Sequence, residues 1–278
     1  MDSAASDAIV DKYVLGRTLE EHQRLRGQAE IWEATTRRIL QEIGLRRGMS
    51  CLDVGCGPGD VMQLMGRIVG PSGQVTGLDI DGELGFQATE ELNATNVSHF
   101  RFVEGNIEEI DRIGDEWFDL TFARVVLIHL DDPIATLRKM YDWTRPGGLI
   151  LVQEFDFRTW DIFPKIEAWG ELQRVSASLF WKTGKDARIG HKLPVYFVEA
   201  GIGEPDGTDV SGRVVSLEQS LSMIQATYRS LLPLALRLGL TTEDMSENFL
   251  AELGRAPRQR YYFSLSPLLV SAWKRKIR

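Results

Sequence analysis

The stretch LDVGCGPGD, residues 52–60, decides the fold of this chain. It opens with residues typical of a buried strand, and every second residue from Gly55 to Gly59 is a glycine. Glycine lets the main chain turn tightly and approach a ligand, because no Cβ stands in the way. A helix that begins at such a turn presents free backbone N–H groups. The stretch therefore predicts a site for a nucleotide-like ligand where the first strand ends.

The spacing of the glycines distinguishes between kinds of cofactor site. A dinucleotide-binding turn follows G-x-G-x-x-G. Its third glycine position is occupied by Asp60 when the count starts at Gly55, and by Met62 when it starts at Gly57. Neither register fits. Residues 53–59 instead follow D-x-G-x-G-x-G, which argues against a loop that cradles a pyrophosphate.

Length and charge limit the functional classes. The chain has 278 residues, enough to bury a full core, with a formal net charge of -8 and a pI near 5.2. A protein that holds a phosphate backbone is expected to show a basic stripe, so we expect no nucleic-acid partner. Only two cysteines, Cys51 and Cys56, are present, so they form neither a zinc quartet nor a disulfide framework, and we expect no metal.

The chain shows no targeting or membrane-spanning pattern. Its first residues lack a basic segment followed by a continuous apolar run. The longest apolar stretch, residues 231–240, contains Pro233 and Arg237 and is too short to span a bilayer. We therefore expect a cytoplasmic protein without membrane association.

Short apolar runs alternate with helical segments after residue 48. The predicted strands cover residues 50–54, 74–80, 100–103, 118–123 and 149–154. This alternation predicts an α/β fold with a doubly wound, mostly parallel sheet, in which ligands bind beyond the carboxyl ends of the strands. An apolar stripe over residues 18–43 predicts a helix ahead of the first strand. We expect this helix and the polar arm before it to cover the site.

Two segments interrupt the alternation. Residues 157–180 have a helical pattern rich in aromatic rings, and a second helical excursion covers residues 217–253. Residues 261–273 then form a single strand-like run. The predicted organisation is an N-terminal arm and covering helix, residues 1–45, followed by an α/β domain, residues 46–278, with helical insertions at about 157–192 and 216–253.

The D-x-G-x-G-x-G turn resembles the first motif of class I S-adenosyl-L-methionine (SAM)-dependent methyltransferases, in which the loop passes close to the methionine part of the cofactor. The runs RPGGLIL at 145–151 and PLLVSAW at 267–273 match the same family. The resemblance implies a Rossmann-like sheet of seven strands with the last strand antiparallel. It also implies SAM as cofactor and S-adenosyl-L-homocysteine (SAH) as product. The cofactor contacts that it implies at the strand ends are Asp53, Gly55, Gly57, Gly59, Asp79, Ile80, Asn106 and Ile107.

Two polar residues at strand ends have alternative roles. Asp79 closes the second strand about 20 positions past the turn, where a carboxylate can accept hydrogen bonds from ribose hydroxyls; capping of the next helix suits Asp81 better. Asn106 stands where the family usually has an Asp facing the adenine amine. Its amide can still accept that bond and can donate to a ring nitrogen, with Ile107 packing on the ring. Asn106 and Glu109 also form a capping-box pattern.

The segment RVVLIHLDDP, residues 124–133, follows the fourth strand. His129 is a candidate general base, because an imidazole titrates near neutral pH. A histidine in this loop is nevertheless frequent in similar methyltransferases with unrelated acceptors, which favours a packed, hydrogen-bonded role. Arg124 is a candidate for fixing the loop near the methionine end of the cofactor. Asp132 and Pro133 predict the start of a helix.

At the fifth strand, alternation puts Glu154 and Asp156 on one face. Carboxylates at the edge of the predicted pocket can orient an amine, accept a proton or stabilise positive charge in the acceptor. Both are therefore candidate catalytic residues. Strand-end carboxylates are also common helix caps and surface charges, and that alternative stays open.

Three residues near the N-terminus are candidate contacts: Tyr13 and Gln28 to the cofactor and Arg24 to the substrate. They match an arm-and-helix pattern, Tyr-x-Leu-Gly followed by Arg-Leu-x-x-Gln, of small-molecule methyltransferases that fold their N-terminus over the cofactor. The alternative is an ordinary solvated stripe. A covering helix can serve its own site or a neighbour's, which leaves a homodimer open.

The aromatic rings of the first insertion form either core or pocket. A cluster inserted after the fifth strand is expected above the methyl donor, where a hydrophobic acceptor is desolvated. Ring faces also attract a sulfonium cation. Trp160, Phe180 and Trp181 are therefore the candidate substrate contacts.

The predicted function is SAM-dependent methyl transfer to a small, hydrophobic or aromatic acceptor of the natural-product type, on O, N or C. The first alternative is a non-catalytic SAM-binding protein or partner subunit, because binding motifs do not prove turnover. A methyltransferase acting on a protein is the second, and an NAD-dependent oxidoreductase is the weakest rival.

Overall fold

A computed structural model describes residues 19–114 and 117–277. Its α-helices are α1 (Leu19–Glu42), α2 (Asp60–Val69), α3 (Gly82–Asn93), α4 (Pro133–Trp143), α5 (Trp169–Lys182), α6 (Ile189–Glu199), α7 (Leu217–Arg237) and α8 (Glu243–Arg255). Its strands are β1 (Ser50–Val54), β2 (Gln74–Asp79), β3 (His99–Glu104), β4 (Phe118–Arg124), β5 (Thr144–Asp156), β6 (Asp161–Phe163), β7 (Gly207–Ser211), β8 (Val214–Ser216), β9 (Phe263–Leu265) and β10 (Leu268–Arg275). Short 3-10 turns follow β4 (Leu127–His129), β5 (Phe157–Thr159) and α8 (Ala256–Arg258).

The larger sheet has seven strands within the described ranges, in the order β3-β2-β1-β4-β5-β10-β7. β1 pairs in parallel with β2 on one side and with β4 on the other, and the pairs β2–β3 and β4–β5 are also parallel. One strand, β10, which is the last along the chain, is antiparallel to the other six. The predicted doubly wound, Rossmann-like α/β class is thus confirmed. The carboxyl ends of β1, β2, β4 and β5 share one edge of this sheet.

The chain divides into two compact units. Of the described residues, the sheet unit contains 25–154, 190–209 and 270–277, and the insertion unit contains 19–24, 155–189 and 210–269. Each unit has a hydrophobic core of its own.

In the sheet unit, α1 and α2 pack their apolar sides on the strands. Ile39 and Leu40 of α1 are fully buried together with Cys51 of β1 and Phe122 of β4. Of the stripe predicted over residues 18–43, Leu25 is half-buried, and the other members are buried: Ala29, Trp32, Thr36, Ile39 and Ile43. Packing of an amphipathic face therefore accounts for this helix.

The insertion unit combines helices α5, α7 and α8 with a small antiparallel sheet in the order β6-β9-β8. Its core is rich in rings: Tyr228 and Phe249 lie 4.4 Å apart between centroids, and Trp160 meets Trp169 edge to face at 5.7 Å. The first helical excursion is only partly helical, because a 3-10 turn and β6 precede α5.

The prediction of one strand over residues 261–273 is wrong. This run forms β9 and β10, which belong to different sheets. Pro267 lies between them and has no backbone N–H for a continuous ladder. A period-two pattern does not reveal such a change of sheet, because the alternation of side chains continues on both sides of the break.

Candidate functional site

The turn after β1 is built from glycines in the left-handed region. Gly55, Gly57 and Gly59 have φ values of 67°, 48° and 80°. The N–H of Gly55 donates to the carbonyl of Leu78 at 2.7 Å, which fixes the turn against β2. A Cβ on Gly55 would lie 2.3 Å from Cγ2 of Val126. Residue 55 therefore has to be glycine both for its backbone angle and for the close approach of the next loop.

Asp79, the last residue of β2, holds the glycine turn with its carboxylate. Oδ2 accepts a hydrogen bond from the N–H of Gly57 at 2.8 Å, and Oδ1 accepts one from the N–H of Asp81 at 3.0 Å. Burial raises the pKa of Asp79, while these backbone N–H groups act in the opposite direction. Asp81 caps α3 by accepting from the N–H of Leu84. The capping role thus falls to Asp81, as predicted.

Asp53 and Arg124 bring opposite charges to neighbouring strands at this edge. Asp53 is buried, and its Oδ2 has no hydrogen-bond partner among the described residues. Burial raises the pKa of Asp53 to about 8, and the Arg124 guanidinium opposes that shift. Asp60, at the start of α2, also has a buried Oδ2 without a partner in the described part of the chain. These oxygens can accept hydrogen bonds from a ligand.

A row of buried hydrogen bonds joins α1 to the sheet. Gln153 of β5 accepts a hydrogen bond from Thr36 of α1 at 2.8 Å and donates one to Ser271 of β10 at 2.9 Å. Arg124 donates to the same Thr36 hydroxyl at 3.3 Å. The portion of α1 that belongs to the sheet unit is thereby anchored to three strands. Gln28, half-buried, lies on this portion of the helix.

Asn106 bonds within its own loop. Its Nδ2 donates to Glu109 and its Oδ1 accepts from the N–H of Glu108, both at 3.0 Å. Neither is a capping-box bond, because a capping box joins the side chain of each of the two residues to the backbone N–H of the other. Ile107 is buried and Ile80 is half-buried. Adenine contact by Asn106 and Ile107 stays a prediction.

Lys139 and Glu108 tie this loop to the loop after β4. Lys139 of α4 donates to the carbonyls of Ile107, Glu108 and Ile110 at 2.8 to 3.1 Å. Glu108 Oε1 accepts from the N–H groups of Asp131 and Asp132 at 2.8 and 3.0 Å. The two loops at this sheet edge therefore fix each other. Asp132 also caps α4, and Pro133 is its first residue, as predicted.

The loop after β4 begins with Val125 at φ 56°, which is unusual for a β-branched residue. Glu154 Oε1 accepts from the N–H groups of Val126 and Leu127 at 2.8 and 2.6 Å. Burial raises the pKa of Glu154 to about 8, against the opposing effect of the backbone N–H groups of Leu127, Val126 and Ile128. His129 is half-buried in the 3-10 turn that follows.

Among the remaining candidates, Arg24 and Asp156 belong to the insertion unit. Arg24 is buried and forms a two-bond ion pair with Glu21 at 2.6 and 2.8 Å. Asp156 Oδ1 accepts from the N–H of Arg158 at 3.0 Å and so caps the 3-10 turn after β5. The capping alternative for Asp156 is therefore present. Tyr13 lies outside the described residues.

The aromatic candidates form a cluster within the insertion unit. Phe157 lies 5.4 Å from Phe180 and 6.2 Å from Trp160, measured between ring centroids. Trp160 and Phe180 are buried, whereas 79% of Trp181 is exposed. Trp160 and Phe180 thus share a ring cluster, while Trp181 faces solvent. Substrate contact by Trp160, Phe180 and Trp181 stays a prediction.

The sequence predicted that most site candidates lie at one edge of the sheet, but it did not predict the side chains that hold the site's elements and loops in place. Asp60 directly follows the glycine turn, and this position alone could have identified it as a candidate. Thr36, Gln153, Glu108 and Lys139 act on partners far away in the sequence, and no local pattern marks them. Within the described residues, no group of three or more His, Cys, Asp or Glu side chains could hold a metal ion. No helix in the same ranges combines the length and apolarity needed to cross a membrane.

Comparison with known proteins identifies similar chains. The profile of a family described as "Methyltransferase domain" matches residues 45–200. Demethylmenaquinone methyltransferases from several Staphylococcus aureus strains are 28% identical over 141 residues, which is 51% of this chain and 56% of the relatives. The matched region therefore spans little more than half the length of these relatives.

Solved structures show the same fold. A protein of Bacillus halodurans assigned as a methyltransferase superposes with a TM-score of 0.57 at 15% identity, over 88% of this chain and all of that one. The YcgJ protein of Bacillus subtilis superposes with a TM-score of 0.53 at 14% identity, over 87% of this chain and 99% of that one. At such identities the likeness concerns the fold alone.

Proposed function

The chain belongs to the methyltransferase-domain family, and from this premise we propose that it transfers the methyl group of SAM to a small, hydrophobic or aromatic acceptor. The family, its class I fold and SAM as cofactor are those predicted from the sequence. The observation that carries the proposal is the glycine turn after β1, with the carboxylates of Asp53 and Asp79 beside it.

The residues around this turn fit SAM. The buried, unpartnered oxygen of Asp53 is suited to the ammonium group of the methionine part, since a cation favours the ionised carboxylate. Asp79 has lone pairs left for ribose hydroxyls after accepting one backbone N–H on each oxygen. Asn106, Ile107 and Ile80 are proposed for the adenine side. Arg124 and Gln28 are proposed for the methionine side, together with Tyr13.

The chemistry itself belongs to the bound cofactor, which supplies a methyl group on a sulfonium for in-line displacement by the acceptor. The protein then has to position the acceptor and exclude water. Good orientation of reacting groups is worth about 7–11 kcal/mol in favourable cases. The loops after β1, β3 and β4, which hold one another through Val126, Lys139 and Glu108, are suited to such positioning.

An aromatic acceptor is proposed from the side chains of the insertion unit. The rings of Phe157, Trp160 and Phe180 lie within a single cluster. On α5, Trp169 Nε1 and Ser176 Oγ are buried without a hydrogen-bond partner among the described residues. They are seven positions apart and so share a helix face. An indole N–H only donates, which favours an acceptor that carries a carbonyl, hydroxyl or ether oxygen.

When the acceptor must lose a proton, we propose that His129 removes it, in preference to the other two candidates from the sequence, Glu154 and Asp156. His129 is half-buried in the loop after β4. Glu154 and Asp156 already hold backbone N–H groups, which favours structural roles. His129 is accordingly the preferred candidate for a general base.

Methyl transfer is tested by incubating purified protein with SAM and a panel of phenols, quinones, amines and carbon nucleophiles, and measuring SAH release and the methylated product by mass spectrometry. The panel includes demethylmenaquinone, after which the Staphylococcus aureus relatives are named. We expect turnover with an oxygen-bearing aromatic acceptor. SAH binding without turnover across the panel would favour the non-catalytic alternative, and methylation of a protein alone would favour the second one.

A further inference from the structure

Glu154 makes its hydrogen bonds to the main chain of the loop after β4. Oε1 accepts from the N–H groups of Val126 and Leu127 at 2.8 and 2.6 Å. The side chain is fully buried, and Oε2 has no hydrogen-bond partner among the described residues. One oxygen thus holds two consecutive backbone groups, while the other is sealed from solvent.

The loop that Glu154 holds is conformationally strained where it begins. Val125 has a φ of 56°, a left-handed conformation that its branched Cβ disfavours. Strained residues of this kind persist only where the surrounding contacts determine them, and they cluster at functional sites. Here the N–H of Val125 donates to the carbonyl of Gln153 at 2.8 Å, and the two bonds to Glu154 follow immediately. Gln153 and Glu154 of β5 therefore fix the backbone of residues 125–127 in the loop.

The held segment determines the space beside the glycine turn. The side chain of Val126 is so close to Gly55 that a Cβ at residue 55 would be 2.3 Å from Val126 Cγ2. A shift of Val126 therefore changes the surroundings of the turn directly. Glu154 acts on that distance through the backbone of Val126.

We propose that Glu154 is a positioning residue of the cofactor site, which holds Val125–Leu127 in the strained conformation that packs Val126 on Gly55. The inference rests on the proposed function only in taking the turn as the SAM site. It differs from a role as general base, which requires a carboxylate oxygen within hydrogen-bond reach of the acceptor. Oε1 is already engaged by two N–H groups, and Oε2 is enclosed.

The first test is hydrogen exchange of the loop amides, which needs neither cofactor nor turnover. In Glu154→Ala we expect the amides of Val126 and Leu127 to exchange at least about tenfold faster, because local opening becomes easier. In Glu154→Gln the amide oxygen can replace Oε1, so exchange should stay within about threefold of the wild type. Thr121→Ala is the matched control, because it removes buried hydrogen bonds from β4 to Met140 and Thr144 rather than to the loop. Loop exchange that is unchanged in Glu154→Ala, or equally fast in the control, would overturn the proposal.

The second test separates positioning from proton transfer. We expect Glu154→Ala to weaken SAH binding in calorimetry by at least about tenfold, and Glu154→Gln to retain it within about threefold. We also expect Glu154→Gln to keep kcat within the same range. A large fall in kcat of Glu154→Gln at unchanged SAH affinity identifies a general base and contradicts the proposal.

A rescue variant keeps the test decisive if Glu154→Ala is poorly folded. Glycine adopts the left-handed region without penalty, so Val125→Gly should restore part of the SAH affinity in the Glu154→Ala background. The absence of any recovery in a folded double variant would count against strain as the link. If neither Glu154→Ala nor the double variant folds, the kcat and SAH affinity of Glu154→Gln distinguish positioning from proton transfer. A wild type that binds SAH but never methylates an acceptor would defeat the proposed function and leave the exchange result standing.

Discussion

At the scale of single residues, Gly55 is required both by its backbone angle and by the close approach of Val126. Its φ of 67° disfavours a side chain, and Val126 occupies the volume that a Cβ would need. Gly147 offers a matched control, because its φ of 77° is similarly positive while nothing lies within 4 Å of its Cβ position. Comparing the two separates backbone strain from close approach.

We expect Gly55→Ala to weaken SAH binding by at least about tenfold, because Val126 has to move away from the turn. Gly147→Ala should lower stability to a similar degree through its backbone angle but leave SAH binding unchanged. Titration calorimetry together with thermal unfolding measures both effects. Equal loss of affinity in the two variants would show that strain alone, not the contact with Val126, matters.

The carboxylate of Asp79 serves the turn and, as proposed, the ribose. Asp79→Ala removes the acceptor of the Gly57 N–H as well as the ribose contact. We expect it to reduce SAH affinity by at least about tenfold, since hydrogen bonds to a charged partner are worth about 1.5–3 kcal/mol each. Asp81→Ala, which removes the α3 cap two residues away, should cost stability only. Unchanged calorimetric affinity in Asp79→Ala would refute the ribose assignment.

At the scale of elements, the hydroxyl of Thr36 is one of the contacts that anchor α1 to the sheet. Thr36 donates to Gln153, which in turn donates to Ser271 of β10. Thr36→Val keeps the shape of the side chain but leaves the Gln153 carbonyl without its donor. We expect a loss of about 1–3 kcal/mol in the free energy of unfolding, the cost of a buried unsatisfied polar group.

Thr89→Val is the control for this anchor. Thr89 is also a buried helical threonine, but among the described residues its hydroxyl donates to the carbonyl of Gly85 in its own helix. Chemical denaturation should show a clearly smaller loss than for Thr36→Val. Equal losses would mean that the hydroxyl of Thr36 contributes no more than a local helix contact.

The elements that the sequence predicted well are those with a strong local signal. β1 has the predicted bounds of 50–54, since an apolar run followed by glycines marks both of its ends. The division of residues 261–273 between β9 and β10 was missed, because pairing partners in a sheet are distant in sequence. The strain at Val125 was equally hidden: it arises from the contacts of Gln153 and Glu154, not from any preference of valine.

At the scale of the whole molecule, buried carboxyl groups couple stability to pH. The pKa values of Asp53 and Glu154 are raised by burial from 3.8 and 4.5 to about 8. Between about pH 4 and pH 8 the two carboxyl groups bind more protons in the folded protein than in the unfolded chain. Their contribution to the free energy of unfolding is therefore largest below about pH 4 and is lost as the pH rises towards 8. Above that range their contribution is constant.

We expect the free energy of unfolding to fall by at least about 1 kcal/mol between about pH 6 and pH 8, given about 1.4 kcal/mol for each pKa unit. Glu154→Gln should show a shallower fall, because one of the two groups no longer titrates. Urea denaturation of the cofactor-free protein at several pH values measures this. Stability that rises over this range, or an identical slope in the variant, would contradict the buried, protonated state of Glu154.

We propose that the edge of the sheet where β1 and β2 end binds the adenosyl group of the cofactor. Its most direct test is a crystal structure of the protein grown with SAH. We expect electron density for SAH at the turn of residues 55–59, with the ribose hydroxyls within hydrogen-bond distance of Asp79. Density for SAH at another place, or a turn closed by side chains of the core, would contradict it.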